Sequence, residues 1–290
     1  MEIVVASGKG GVGKSTITAS LVQLLSHKKV AAVDADAEAP NLHLLLDVKE
    51  WEEEKEFVSA QSARITNRCT QCGACDDVCI YEAIEIKDGI HRIKDYLCEG
   101  CGACRAVCPV KGAIVIENAL SGWIRVAETP HAPLVSAELD VGRPNSGKLV
   151  AEEKEIARGW VKEGKAKHLL VDSAAGIGCQ VIASISGADL AILVSEPTPS
   201  SLNDLKRMYH LTRHFGVEAK LIINKDGINP SYRGLENFAE SKGVEIIGRV
   251  PYDEAVPGSI TAMKTLIEYA PESPSAKEIV KIAEYVEGWL

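Results

Sequence analysis

Gly8-Lys9-Gly10-Gly11-Val12-Gly13-Lys14-Ser15-Thr16 is the stretch whose reading decides the fold. An apolar run, Ile3-Val4-Val5-Ala6, precedes it, and apolar residues at helical spacing (Ile17, Leu21, Leu24, Leu25) follow it. The order is therefore strand, glycine-rich loop, helix, which is the context a phosphate-binding loop requires. Gly10, Gly11 and Gly13 let backbone amides converge on phosphate oxygens, and the helix N-terminus adds its dipole. Lys14 is placed to reach the outer phosphates, and the Ser15 hydroxyl to bind Mg2+.

Outward from the loop, Val30-Ala31-Ala32-Val33 reads as a second buried strand that ends in Asp34-Ala35-Asp36. Carboxylates at the carboxyl end of a strand beside a phosphate loop are placed to act on Mg2+ or on a water. His168-Leu169-Leu170-Val171 repeats the pattern and ends in Asp172, followed by the small-residue turn Ser173-Ala174-Ala175-Gly176-Ile177-Gly178. That is the form of an acid directed at Mg2+ with a mobile loop behind it. Further strands, Leu190 to Val194, Ala219 to Ile223 and Val244 to Ile247, alternate with helical patterns. The fold class expected is α/β, a P-loop domain with a mostly parallel sheet covered by helices on both faces. Asn224, at the end of its strand, is a candidate for hydrogen bonding to a nucleotide base. His210 and His214 share a helical spacing with no third ligand and read as an ordinary partly buried pair. The last helical pattern, through Ile279, Ile282 and Val286, is amphipathic and is expected to pack on the core.

Composition bounds the alternatives. The chain has 290 residues, 46% of them hydrophobic and 25% charged, as in a soluble globular protein with room for an insertion. No basic leader precedes the first strand and no apolar run is long enough to cross a bilayer, so a cytoplasmic protein without a membrane anchor is expected. A net charge of −9 with no basic cluster argues against a nucleic-acid partner. The acidic residues around Trp51 and Phe57, within 47–60, read as a solvated surface segment.

Eight of the nine cysteines lie between Cys69 and Cys108, in a duplicated segment. Cys69-Thr70-Gln71-Cys72-Gly73-Ala74-Cys75-Asp76-Asp77-Val78-Cys79 is echoed by Cys98-Glu99-Gly100-Cys101-Gly102-Ala103-Cys104-Arg105-Ala106-Val107-Cys108, and each copy continues to an Ala-Ile pair. Both have the C-x2-C-x2-C-x3-C spacing of two-cluster bacterial ferredoxins, in which the fourth cysteine of each run ligates the other cluster. Cys69, Cys72, Cys75 and Cys108 are accordingly assigned to one [4Fe-4S] cluster, and Cys98, Cys101, Cys104 and Cys79 to the other. Structural zinc sites use separated pairs of ligands, so zinc fails on count and spacing. Ile80 stands where Pro109 follows the second run, which leaves the ligand set intact. The expected organisation is a discontinuous ATPase domain, 1–60 and 119–290, interrupted by a small α+β ferredoxin insert, 61–118. The ninth cysteine, Cys179, is expected to be a buried small hydrophobe.

Lys9 to Thr16 resembles the deviant phosphate loop of the MinD, ParA, Mrp and nitrogenase-iron-protein ATPases, with Lys9 at the position of their signature lysine. Asp34 to Asp36 resembles their first switch and Asp172 to Gly178 their second, so the likeness covers nearly everything outside the insert. With the insert, the chain is similar to members of that superfamily that carry a two-cluster ferredoxin. The resemblance implies ATP and Mg2+ as ligands and a nucleotide-sandwich dimer, either a homodimer or a pair with a related ATPase subunit. In it, Lys9 of one subunit contacts phosphate in the other, Asp36 positions the attacking water, and Ser15, Asp34 and Asp172 hold Mg2+. Lys9, Lys14 and Asp36 are then the catalytic set. The family's second switch more often carries prolines where this chain has Ala174, Ala175 and Gln180.

Two functions follow as expectations. One is ATP-driven electron transfer through the clusters to a partner protein. The other is an Mrp-like carrier of iron-sulfur clusters, for which Cys179 is the only spare thiol; two subunits would supply two thiolates where a fully thiolate-held [4Fe-4S] cluster needs four.

Overall fold

The computed structural model describes residues 1–290. Its strands are β1 (Glu2–Ser7), β2 (Val30–Ala35), β3 (Glu53–Ile65), β4 (Ile84–Lys87), β5 (Ile90–Ile93), β6 (Ile114–Glu128), β7 (Pro133–Leu139), β8 (His168–Ala175), β9 (Leu190–Ser195), β10 (Glu218–Asp226) and β11 (Glu245–Pro251). The helices are α1 (Lys14–Leu24), α2 (Leu42–Leu45), α3 (Ala103–Val107), α4 (Ser146–Lys162), α5 (Cys179–Ile185), α6 (Pro199–His214), α7 (Gly234–Lys242), α8 (Ala255–Thr261), α9 (Leu266–Tyr269) and α10 (Pro274–Glu287). Nine strands form one sheet in the order β11-β10-β9-β1-β8-β2-β7-β6-β3.

The chain divides into two compact units. The first comprises Met1–Glu54, Ile124–Glu138 and Ser146–Leu290. Here β1 lies between β8 and β9, all parallel, with Val4 opposite Val171 on one side and Ala191 on the other. Every residue of β1, β2 and β9 is buried, as strands covered on both faces must be. The aliphatic pattern of the last helix has the expected consequence, because Ile279, Ile282, Ala283 and Val286 of α10 join the core that contains Ile3, Val5 and Leu21.

The second unit comprises Lys55–Trp123 and Leu139–Asn145. It is larger than the insert expected at 61–118, for two reasons. The acidic segment that reads as solvated surface is the start of β3, whose first four residues are exposed while Phe57, Ala60 and Ala63 turn inward. As the last strand in the order, β3 has the charge load of an edge strand. Likewise β6 begins at Ile114, inside the expected insert, and runs on to Glu128, beyond its expected end at 118. Residues 139–145 join this unit through Asp140 N–H to the Ser121 carbonyl (2.9 Å), Arg143 Nη1 to the Asp95 carbonyl (3.2 Å) and Asn145 Nδ2 to the Ser59 carbonyl (3.0 Å).

Within this unit the two cysteine runs fold alike. In each, the four cysteines are intermediate, exposed, buried and intermediate in turn. Each run ends in a short helical turn, and the Ala-Ile pair that follows opens a strand, β4 at Ile84 and β6 at Ile114. Ala63, Cys75, Cys104 and Ile114 form the shared apolar centre. The antiparallel hairpin β4–β5 turns through Asp88 and Gly89, both at positive φ, the backbone a tight two-residue hairpin turn requires.

Candidate functional site

The phosphate-loop stretch leaves the carboxyl end of β1 and enters α1 at Lys14, so the Lys14 side chain starts inside the fold. It is buried, and its Nζ stands 3.0 Å from Asp172 Oδ1. Thr18 Oγ1 donates to the same oxygen at 2.8 Å. The other oxygen, Asp172 Oδ2, is buried with no hydrogen-bond partner. Lys14 Nζ also reaches Ser15 Oγ at 3.4 Å.

Asp34 and Asp172 are register partners across β2 and β8, which sets two carboxyls side by side with Lys14 as the near cation. Asp34 Oδ2 accepts the amides of Asn41 (2.9 Å) and Leu42 (2.8 Å). Burial, and then the charge of Asp172, push the Asp34 carboxyl up to about 7. Burial also raises Asp36, against the opposing pull of Lys14. An unpartnered buried oxygen beside a destabilised carboxylate is a donor set that suits a hard divalent cation, since a cation would satisfy both. Ser15, Asp34 and Asp172 are the residues that fit Mg2+.

Two glycines are required by contact rather than by flexibility. A Cβ on Gly13 (φ +89°) would lie 2.2 Å from Asn224 Nδ2, and one on Gly8 would lie 2.6 Å from Asp204 atoms. Asn224 Nδ2 donates to the Val12 carbonyl at 2.6 Å, so the amide of the expected base-binding residue braces the phosphate loop. Its neighbour Lys225 donates to the Gly11 carbonyl at 2.7 Å. Lys225 Nζ and Lys9 Nζ hold the two oxygens of Glu196 at 3.0 and 2.9 Å. Burial would raise the Glu196 carboxyl, but the hydrogen bonds from Lys9 and Lys225 outweigh it and hold it below the usual range. In this arrangement Lys9 is tied within its own chain.

Gln180 bridges the two acid loops, accepting the Ala37 amide at 2.9 Å and donating to Glu38 Oε1 at 2.9 Å. Sequence reasoning missed Glu196, Lys225, Thr18 and Gln180 as site residues. Position at a strand's carboxyl end was an available signal for Glu196 and Lys225; nothing in the sequence marked the other two. Cys179 is exposed at the first turn of α5 rather than buried, because that turn presents it to solvent. His210 and His214 are also exposed, each against its aromatic neighbour, Tyr209 and Phe215, rather than paired in the core.

In the second unit, Cys79, Cys98, Cys101 and Cys104 line one cavity, with Ala63, Ala83 and Ile93 supplying apolar wall. The fourth cysteine of the first run thus lines the same cavity as the first three of the second run. Cys75 shares one apolar cluster with Cys104, against which Cys98 and Cys108 both pack. Burial pushes the Cys75 thiol up to about 11 and raises Cys104, so thiolates here need a cation to stabilise them. This chemistry fits thiophilic iron. Amides of Ala63 and Ala83 donate to Cys98 and Cys79 Sγ at 3.3 Å each, and the Gln71 amide to Cys69 Sγ at 3.4 Å.

Comparison with known proteins places this geometry. The family described as the CobQ/CobB/MinD/ParA nucleotide binding domain matches residues 3–266. An uncharacterized protein of Methanocaldococcus jannaschii is 36% identical over 290 residues, covering 99% of this chain and 98% of that one. The iron-sulfur cluster carrier protein of the same organism is 29% identical over 305 residues, covering 99% of this chain and 85% of its own. Among solved structures, MinD of Pyrococcus horikoshii complexed with Mg-ADP shares the fold, with a TM-score of 0.61 at 21% identity over 99% of this chain and 96% of that one. No helix is long and apolar enough to cross a membrane.

Proposed function

This chain belongs to the CobQ/CobB/MinD/ParA nucleotide-binding family, and from that premise we propose that it is an ATPase whose nucleotide cycle drives electron transfer through two [4Fe-4S] clusters to a partner protein. ATP with Mg2+ is the ligand of the family fold, and Gly8 to Thr16 is its cradle. Lys14, already desolvated, neutralises charge on the outer phosphates where a low dielectric makes that charge count most. Mg2+ supplies Lewis-acid stabilisation of the phosphate oxygens, and Ser15, Asp34 and Asp172 are the residues that would hold it. Asp36, at the mouth of the acid pair, orients the attacking water. Asn224 is proposed to face the base through the side of its amide not spent on Val12. Lys9 is free for a second subunit only when Glu196 releases it, so a nucleotide-bound dimer, of two such chains or with a related subunit, begins with the loss of that ion pair.

The observation that carries the redox half is the meeting of Cys79 with Cys98, Cys101 and Cys104 around one cavity. An exchanged fourth ligand commits all eight cysteines to two closed sets, Cys69, Cys72, Cys75 and Cys108 forming the other. Closed sets suit a relay that keeps its clusters. When bound, the clusters supply one-electron chemistry.

A second reading, cluster delivery, is favoured by the likeness to the iron-sulfur cluster carrier protein. One experiment separates them: potentials of the reconstituted protein and reduction of an acceptor protein, each with and without ATP, beside cluster transfer to an apo-acceptor. ATP-dependent potentials or reduction support the relay. Potentials indifferent to nucleotide, with ready loss of a cluster to the acceptor, would replace it with delivery.

A further inference from the structure

The two cysteine runs fold alike but differ in sequence at four positions within the run, two of which change what surrounds the sulfurs. Where the second run has Gly100, the first has Gln71; where the second has Arg105, the first has Asp76. Gln71 and Gly100 both adopt positive φ, 58° and 62°. For glycine this costs little, whereas glutamine is strained there.

His91 compensates. It is buried on β5, and Gln71 Oε1 accepts both its backbone amide (2.8 Å) and a contact from Nδ1 (2.8 Å). Its Nε2 meets Asp76 Oδ2 at 3.1 Å. One imidazole therefore ties the loop before Cys72 to the turn after Cys75. The second run has no room for such a tie, because a Cβ on Gly100 would lie 2.5 Å from the Gln61 carbonyl oxygen.

The tie fixes a carboxylate against one site. Asp76 Oδ1 is buried without a partner, and Cys75 Sγ, a carboxylate oxygen of Asp76 and a ring nitrogen of His91 all lie within 4.8 Å of one another. The sulfurs of Cys98 and Cys79 at the other site accept the amides of Ala63 and Ala83, at 3.3 Å each, where the first site has the Gln71 amide on Cys69 at 3.4 Å. Arg68, Asp77, Glu99, Arg105 and Lys111 also lie along these runs, but all are exposed and water screens them. Reduction adds negative charge, which a half-buried carboxylate held in place opposes and N–H···S bonds favour.

We propose that the Gln71–His91–Asp76 clamp makes the two sites unequal, and that a cluster held by Cys69, Cys72, Cys75 and Cys108 is the harder of the two to reduce. This rests on the reading of both runs as cluster sites. An electron arriving on the protein then resides at the Cys79, Cys98, Cys101 and Cys104 site.

The test is a dithionite titration of the reconstituted full chain with redox mediators, followed by electron paramagnetic resonance at one fixed pH for wild type and variants. Two separate one-electron waves are expected, and Asp76→Asn should move the lower wave upward while leaving the upper in place. Coincident waves in the wild type overturn the proposal, as does an Asp76→Asn shift confined to the upper wave. Should Asp76→Asn load poorly, Gln71→Gly, which copies the second run, must also bring the waves together; waves left apart overturn the proposal. Absence of cluster absorbance in the wild type is a different failure, since it removes the cluster reading itself.

Discussion

Glu153 sits on α4 with no accessible surface and both carboxyl oxygens without a hydrogen-bond partner. Burial, reinforced by the charge of Asp34, raises it well above its ordinary 4.5. The folded chain thus keeps a proton that the unfolded chain gives up above that value. The stability Glu153 contributes is fully present below 4.5 and is lost as pH rises toward the folded value. Glu153→Gln removes the penalty, so melting curves should show the variant's advantage over wild type growing between pH about 5 and 8. Lys14→Ala should cut ATP turnover by about 10²- to 10³-fold or more, as loss of one preorganised donor does, with cluster absorbance unchanged; turnover assays beside visible spectra decide this. At this scale the sequence was legible where residue type and position coincide, as at Lys14, Asp34 and Asp172. It was mute at Glu153, because Glu152-Glu153-Lys154-Glu155 has the letters of a solvated charge run and only the packing of α4 buries two of them.

Lys154 shows what α4 does for the element beside it. Its ammonium reaches the carbonyls of Ala183 (2.8 Å), Ser184 (2.6 Å) and Ser186 (2.8 Å), closing the carboxyl end of α5, and pairs with buried Glu2 at 2.7 Å. The three carbonyls and the charge of Glu2 answer the cost of burying it. Lys154→Met strands Glu2 with only Arg158 and leaves the carbonyls without a donor, so denaturant unfolding should register a loss of about 3–5 kcal/mol. Strands ending in acids and helices ending in capped turns were readable from periodicity. The lengths of β3 and β6 were not, because a strand that continues through polar and acidic residues carries no apolar signal once it reaches an edge.

The molecule is a parallel sheet of distant segments and a smaller unit of local ones. The alternation of strands and helices made the first legible, and the duplicated cysteines made the second; their boundary was misplaced because residues 139–145 join the smaller unit by backbone-directed contacts that leave no compositional mark. On the cluster reading, iron chelation should strip amide-exchange protection from residues 69–108 while Lys14 and Asp172 stay paired, which hydrogen exchange with mass spectrometry resolves. The position of β1 has a further consequence for synthesis. Its sheet partners are β8 and β9, and the brace on Val12 comes from Asn224, 212 residues downstream. The phosphate loop is made before the strands and the asparagine that wall it in, whereas the smaller unit is complete by Asn145. During translation the segments of the cysteine unit are therefore all present before the nucleotide cradle has its walls, and the closure of distant strands is the slower step.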